Sequence, residues 1–204
     1  MKRVLLAALL LAFSAQGRTT VLDGAGFQPV ESDGFFGFVD AGGTPAIKPH
    51  FSAVREFSEG LAAVRVNTTF GFLDAQGVLM MEPDFDGKWG FTNSAGRLAI
   101  LPAYDQVRPF SEGLAAVRLN NRCGFIDRNG KMVIRARYED SGSFSEGLAA
   151  VRLRGVYGYI NTRGKMVIKP RFDRAAPFSN GVARVMVGEV SGTIDRTGAF
   201  EPGN

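Results

Sequence analysis

Apolar residues recur at every second position in short stretches of the chain, and turns that contain glycine separate these stretches. A period of two places alternate side chains on one face of a β-strand. Four copies of one such stretch are apolar at three alternate positions, which predicts that the face they share is the buried core face. The opposite face, which is then not the core face, holds Leu61, Ala63 and Arg65 in the first copy. The apolar positions are Ala62, Val64, Val66; Ala115, Val117, Leu119; Ala149, Val151, Leu153; and Ala183, Val185, Val187.

A second kind of stretch begins with an aromatic-Gly-aromatic triplet, such as Tyr157-Gly158-Tyr159. Asp or Asn follows the central glycine by three residues, and a second glycine follows three residues later. An Asx side chain accepts a backbone N–H in a type I turn and glycine supplies the positive φ at its exit, so each stretch predicts a two-stranded hairpin. A calcium loop is the alternative, but it needs more oxygen ligands than this spacing offers. The Asx residues are Asp40, Asp74, Asn93, Asp127, Asn161 and Asp195, and the exit glycines are Gly43, Gly77, Gly96, Gly130, Gly164 and Gly198.

Both kinds of stretch belong to one internal repeat, with units that start near residues 36, 70, 89, 123, 157 and 191. The central glycines are Gly37, Gly71, Gly90, Gly124, Gly158 and Gly192, which are 34, 19, 34, 34 and 34 residues apart. The short interval predicts that the unit starting at Phe70 is truncated and makes the array irregular. The last unit carries Ser191 and Thr193 in place of aromatics, as a terminal repeat with a polar outer face should.

These motifs resemble the WG-repeat family, which is named for a Trp-Gly pair and occurs here literally as Trp89-Gly90. The fuller pattern includes Tyr157 to Asn161, Val167 to Pro170 and Phe144 to Ala149, and it extends over residues 34–198. The resemblance implies a β-rich repeat array without an assigned activity. We therefore expect an all-β protein in which ~34-residue repeats of antiparallel hairpins or three-stranded units form an open, solenoid-like stack. A closed, propeller-like ring is the alternative.

The first seventeen residues have the pattern of a Sec-type signal peptide. Lys2 and Arg3 precede an apolar run from Val4 to Phe13, and small residues follow it at a plausible cleavage site after Gly17. The run is half the length that a transmembrane helix needs, and no cysteine follows it as a lipoprotein anchor would require. We expect residues 1–17 to be removed on export to the periplasm or the medium, residues 18–33 to lead into the repeats, and residues 34–204 to form the repeat domain.

Composition excludes several classes of function. One Cys and one His allow neither an internal disulfide framework nor a zinc site with soft ligands. The net charge of +4 falls to +2 without Lys2 and Arg3, because 22 basic residues then face 20 acidic ones, and this balance predicts no nucleic-acid partner. His50 stands at a repeat position that also accepts Asp, Ala or Arg, which predicts a solvent-facing side chain.

Candidate chemistry is sparse. Glu59, Glu112 and Glu146 each precede an arginine by six residues, and both partners are absent from the fourth copy. This predicts Glu–Arg pairs, within a unit or between units, with a ligand-binding ridge of arginines as the rival interpretation. Cys123 takes an aromatic position of its triplet, which predicts a small buried side chain, with an intermolecular disulfide as the alternative.

No familiar catalytic motif is present, and unique acidic residues such as Asp33, Glu82 and Asp140 stand near no other signature residue. We assign no catalytic, cofactor-binding or metal-binding residues, and the binding residues stay unassigned. The sequence predicts an exported, non-enzymatic interaction module that binds an unknown protein at the bacterial cell envelope and does not span the membrane after signal removal. Glycan or cell-wall binding through exposed aromatics is the alternative, and an enzyme is the third possibility.

Overall fold

The computed structural model describes residues 26–66, 72–73, 79–80 and 87–203. The predicted signal peptide, residues 18–25 of the lead-in segment and the Phe70-Gly71 pair of the truncated unit lie outside the described residues, so those predictions stay predictions. The described residues form β-strands, turns and bends, with no helix among them. This confirms the predicted all-β class.

Five antiparallel sheets, numbered one to five along the chain, follow each other in tandem. Sheet one has three strands, sheets two to five have four each, and strands pair with their neighbours in chain order. The strands are β1 Gln28–Ser32, β2 Phe35–Val39 and β3 Pro45–Phe51 in sheet one; β4 Ala53–Ser58, β5 Leu61–Arg65, β8 Trp89–Asn93 and β9 Leu98–Tyr104 in sheet two; β10 Gln106–Val107, β11 Leu114–Leu119, β12 Arg122–Asp127 and β13 Met132–Tyr138 in sheet three; β14 Asp140–Ser141, β15 Leu148–Leu153, β16 Val156–Asn161 and β17 Met166–Phe172 in sheet four; β18 Arg174–Ala175, β19 Ala183–Val187, β20 Val190–Ile194 and β21 Phe200–Pro202 in sheet five; and a separate hairpin of β6 Phe72–Leu73 and β7 Leu79–Met80.

The sheets are offset from the sequence units. The unit that starts at Trp89 supplies β8 and β9 to sheet two and then β10 and β11 to sheet three. Its third predicted strand, β11, is therefore a central strand of the following sheet. Each full unit joins two sheets covalently, so no four-stranded sheet is built from one unit alone.

The extra residues of the truncated unit lie in one connection of sheet two. β5 pairs directly with β8, from Leu61 opposite Asn93 to Arg65 opposite Trp89. In sheet three the corresponding strands are joined by two residues with positive φ, Asn120 and Asn121. The irregularity is thus a long connection between paired strands, and sheet two keeps the four-strand order of sheets three to five.

The core consists of four apolar clusters, one between each pair of successive sheets. The expectation that one face of the LAAV stretch is buried was half right. Ala62 and Val64 pack towards sheet one, as the alternation predicts. Leu61 and Ala63, on the opposite face, are also buried because they pack towards sheet three. A strand with a sheet on each side is apolar on both faces, and this is why the stretch reads as a continuous apolar run.

One aromatic pair recurs at every interface between sheets. The last aromatic of four triplets contacts the phenylalanine of the next Phe-Ser motif, with ring centroids 4.9 to 5.0 Å apart and ring planes inclined at 55 to 71°. Such tilted pairs contribute about 0.5–1.5 kcal/mol beyond the area that they bury. The pairs are Phe38–Phe57, Phe91–Phe110, Phe125–Phe144 and Tyr159–Phe178.

The central glycine of each triplet that the structure describes in full is required by a close approach of the next strand. Opposite Gly124, β13 carries two more residues than β12, because Cys123 pairs with Tyr138 but Phe125 pairs with Ile134. This bulge brings the partner backbone over the glycine, and a Cβ on Gly124 would lie 2.6 Å from the Ile134 carbonyl oxygen. The triplet is therefore a strand whose middle residue leaves room for a bulged neighbour.

The predicted Asx turns form as expected. Asp127 Oδ1 accepts the N–H groups of Asn129 and Lys131 at 2.9 Å each, and Gly130 follows with φ +79°. Asp74 lies outside the described residues. The turn, rather than a calcium site, is what these oxygens serve, and the four remaining Asx residues bind in the same way: Asp40, Asn93, Asn161 and Asp195.

The last sheet presents a polar outer face. Arg184 and Thr193 of sheet five stand where earlier sheets place the buried Ala150 and Tyr159. Arg184 is exposed and Thr193 is partly exposed, which fits a face that no described sheet covers. The described strands of sheets one and five share no interface of the kind that joins neighbouring sheets. The repeats therefore form an open stack in tandem.

Candidate functional site

In sheets two to five, the turns that follow the first strands are linked to one another along one edge of the stack. We call this edge, formed by β4, β10, β14 and β18 with the turns that follow them, the first-strand edge. The serine of each Phe-Ser-Glu-Gly motif links neighbouring first strands by donating its hydroxyl to the phenylalanine carbonyl of the next copy. These bonds are 2.5, 2.8 and 2.7 Å long and run from Ser58 to Phe110, Ser111 to Phe144 and Ser145 to Phe178.

The glutamate of the same motif forms a second row of hydrogen bonds between copies, and we call the serine and glutamate rows together the ladder. Glu112 has φ +55° and is followed by Gly113 at +76°, which forms a two-residue hairpin turn of type I′. Its carboxylate accepts the N–H of Gly147 in the next copy at 3.1 and 3.0 Å. Glu59 and Glu146 do the same to Gly113 and Gly181. A positive φ disfavours glutamate, so these bonds offset a local strain.

The predicted pairing of each glutamate with the arginine six residues on was wrong. The left-handed turn directs the Glu112 carboxylate towards the next copy, away from Arg118 on β11. Arg118 instead approaches Asp140, at 3.7 Å. Asn180 replaces glutamate in the fourth copy of the motif, and Asn-Gly is a favoured type I′ pair.

We expect Glu112→Ala to lower the free energy of unfolding by about 1 kcal/mol, because one N–H of the next turn loses its acceptor. Glu112→Gln keeps an acceptor oxygen and should lose less. Urea denaturation followed by circular dichroism measures both. Equal stability of Glu112→Ala and the wild type would show that the ladder does not stabilise the stack.

A cavity of about 530 Å³ opens at the first-strand edge across sheets two, three and four. Sheet two supplies Trp89 of the Trp-Gly pair, sheet three supplies Cys123, and sheet four supplies Ser141. Ser141 is only 3% exposed. Four arginines also line it: Arg55, Arg65, Arg108 and Arg118.

Two of these arginines are bound to main-chain carbonyls through Nε, and a third lies over an aromatic ring. Arg65 Nε donates to the Gly87 carbonyl at 2.8 Å, and Arg108 Nε donates to the Ser141 carbonyl at 2.9 Å. The Arg55 guanidinium carbon lies 5.2 Å from the centroid of the Trp89 ring. Among the described residues, none of the three has a carboxylate within 4.0 Å.

Two carboxylates also line the cavity, and both are bound to other groups. Lys88 forms an ion pair with Asp105, and its hydrogen bond lowers the pKa of that carboxyl. Asp140 accepts the Tyr157 hydroxyl at 2.7 Å and approaches Arg118. Burial, followed by the hydrogen bond to Asp140, raises the pKa of the Tyr157 hydroxyl.

Of the other residues singled out in the sequence, Cys123 and Asp140 line this cavity, and His50 and Asp33 do not. His50 is exposed, as expected, and its Nδ1 lies 2.6 Å from the Lys48 carbonyl oxygen. Cys123 is a buried free thiol, as predicted, although it borders the cavity. Asp33 takes part in a tight turn with φ +53°, and Glu82 lies outside the described residues. Only Asp140 of these three unique acids is seen to reach the cavity.

Sequence reasoning missed the cavity because its arginines occupy different repeat positions. Arg65 and Arg118 belong to the LAAVR motif, whereas Arg55 and Arg108 lie on or directly after first strands, which the repeat pattern did not predict. The signal available in the sequence was a basic residue three positions before Ser-Glu-Gly, which is Arg55 in one copy and Arg108 in the next but is absent from the later copies.

Among the described residues there is neither a cluster of metal ligands nor a membrane-spanning helix. No group of three or more His, Cys, Asp or Glu side chains in that part of the chain converges as a metal site would require. Nor does the described part of the chain contain a helix of the length and hydropathy that crossing a membrane takes.

Comparison with solved structures finds similar folds at low identity. A crystal structure of the eukaryotic initiation factor is 11% identical with a TM-score of 0.53, over 88% of this chain and 52% of that one. The chain thus spans about half the length of that protein, and the likeness concerns the fold alone. A protein of unknown function from Bacteroides caccae is 14% identical over 88% of this chain and 79% of its own, with a TM-score of 0.38.

No curated protein matches the chain. The family model described as WG containing repeat matches residues 36–67, 89–123, 124–157 and 157–190. These matches begin at or beside four of the six predicted unit starts, and together they cover more than half of the chain. The chain belongs to the WG-containing repeat family.

Proposed function

We propose that the protein is exported and acts as a non-enzymatic interaction module that binds another protein at the bacterial cell envelope. Its N-terminal seventeen residues support export, because they combine a basic start, an apolar run and small residues at a cleavage site. The tandem sheets support an interaction role, because stacked repeats create extended surfaces on which partners bind.

The observation that carries the choice of a protein partner is the placement of the aromatic rings. Glycan-binding repeats need exposed aromatic faces, whereas the rings here fill the interfaces between sheets. Phe38, Phe91, Phe125 and Tyr159 have no exposed surface. Two rings at the first-strand edge are covered by guanidinium groups: Arg55 lies over Trp89 and Arg152 over Tyr157.

Binding is tested with residues 18–204 immobilised as bait. We expect saturable capture of one or a few envelope proteins from extract and no retention on purified peptidoglycan. Cosedimentation with peptidoglycan that soluble wall fragments compete away would instead establish glycan binding. Failure to capture any protein, from a bait whose circular dichroism shows folded β-structure, would contradict the proposal.

Export is tested separately with the full chain and with a variant that lacks residues 1–17. We expect the full chain to be recovered outside the cytoplasm with Arg18 as its first residue, and the shortened variant to stay inside. A full chain recovered in the cytoplasm with its original N-terminus would contradict export while leaving the binding test unaffected.

A further inference from the structure

We propose that the arginine-lined cavity at the first-strand edge binds an acidic segment of the partner protein, through carboxylates that contact Arg55, Arg65 and Arg108. This inference rests on the proposed function, because it names the surface and the chemistry by which a partner is bound. The charge, geometry and volume of the cavity support this inference, and so does a comparison of peptides with nucleic acids as ligands.

The cavity carries an uncompensated positive charge. Arg118 Nη2 lies 3.7 Å from Asp140 Oδ1, and Asp105 forms an ion pair with Lys88. The two carboxylates of the wall are therefore matched by two cations. Arg55, Arg65 and Arg108 have no carboxylate partner among the described residues, so three guanidinium groups remain to attract an anion.

The positions of the three guanidinium groups suit the binding of carboxylates. A guanidinium group offers five N–H donors in a planar fork, and its two terminal nitrogens match the two oxygens of a carboxylate. In Arg65 and Arg108, Nε is bound to a main-chain carbonyl, which fixes the orientation of the plane. The Arg55 guanidinium lies over the Trp89 ring, which keeps it at the cavity wall. Little side-chain entropy is then lost when a carboxylate binds.

A departure from the repeat lies in the wall of the cavity. Trp89 and Tyr157 are the first residues of their triplets and pair across the sheet with Arg65 and Arg152. Cys123 takes the same place in sheet three, opposite Arg118, with a much smaller side chain. The neighbouring cavity, which Tyr157 lines, measures about 250 Å³, against about 530 Å³ where Cys123 stands.

A peptide fits this cavity better than a nucleic acid does. Nucleic-acid affinity comes from many phosphate contacts along an extended basic surface, whereas the chain without its signal has a net charge of only +2. The wall also contains Asp105 and Asp140, which would repel a continuous row of phosphates. In a peptide, separate carboxylates can reach the arginines while main-chain N–H groups face the acids.

Fluorescence polarisation with purified residues 18–204 tests the proposal. The probe is a fluorescein-labelled peptide of alternating Asp and Glu between glycines, and its matched control carries Asn and Gln instead. We expect the acidic probe alone to bind, more weakly as salt rises. Because a charge-assisted hydrogen bond contributes about 1.5–3 kcal/mol, Arg55→Gln and Arg108→Gln should each weaken binding about tenfold or more.

Two further variants separate the cavity from general surface charge. Arg128→Gln removes an exposed arginine from the turn of sheet three, outside the cavity wall, and should leave binding unchanged. Cys123→Tyr alters no charge and restores the aromatic of other units, so it should fill the cavity and abolish binding in a folded protein. If Cys123→Tyr does not fold, the two arginine variants decide alone.

Several outcomes would overturn the inference. These are no binding of the acidic probe, equal weakening by Arg128→Gln and Arg108→Gln, or tighter binding of a single-stranded DNA oligonucleotide than of the acidic probe. Capture of an envelope protein by both wild type and Arg108→Gln bait would overturn the inference and keep the proposed function. Binding of the probe without any captured protein would support the cavity as a site for acidic peptides and contradict the proposed function.

Discussion

Replacement of Gly158 by alanine is expected to lower the free energy of unfolding by about 3 kcal/mol or more. The new Cβ would lie 2.5 Å from the Ile168 carbonyl oxygen and 2.7 Å from the Pro170 nitrogen. Both are main-chain atoms of a bulged strand, so no side-chain rotation can relieve the overlap. Either β16 separates from β17 or the bulge is lost, and both outcomes disrupt sheet four.

Gly155→Ala is the matched control for this substitution. Gly155 has φ +84° and no heavy atom within 4 Å of its ideal Cβ position. Alanine there meets only the left-handed backbone conformation, which costs about 1–2 kcal/mol. Urea denaturation of both variants measures the difference. Equal losses of stability would mean that β17 shifts away from the new Cβ at little extra cost, and that the close approach does not require glycine in the triplet.

The parts of the fold that sequence predicts well are those set by local chemistry. The Asx residue and the exit glycine of each hairpin lie three residues apart, so one turn contains both and its hydrogen bonds depend on no distant residue. Asp127 illustrates this, because its two bonds reach only to Asn129 and Lys131. The repeat period and the all-β class follow from the same local signals.

The parts that sequence missed depend on contacts between units. Glu112 and Arg118 share a motif, yet the glutamate binds Gly147 in the next copy and the arginine approaches Asp140. Leu61 lies on the face that the alternation leaves outside the core, but sheet three covers it. A pattern read within one unit contains no information about which unit packs on either side, so the cavity could not be placed either.

Phe144→Ala is expected to lower the free energy of unfolding by about 3–5 kcal/mol. Phe144 is 1% exposed and packs on Phe125 between sheets three and four, with ring centroids 4.9 Å apart. Removing the ring takes away its packing between the two sheets and leaves a cavity at their interface, and both effects lower stability. Phe35→Ala, at a ring that is 39% exposed, should lose far less stability.

The position of Phe144 adds a second expectation. In a stack where each sheet contacts only its neighbours, stability is a sum of sheet and interface contributions, and a weakened central interface lets the two sides unfold separately. Trp89, the single tryptophan, lies in sheet two and reports on the first side. In Phe144→Ala, tryptophan fluorescence and circular dichroism should therefore follow different transitions in urea, whereas in the wild type they should coincide.

Phe178→Ala, between sheets four and five, should release only the last sheet before the main transition. Coincident transitions in Phe144→Ala would mean that the sheets unfold as one unit despite their serial contacts.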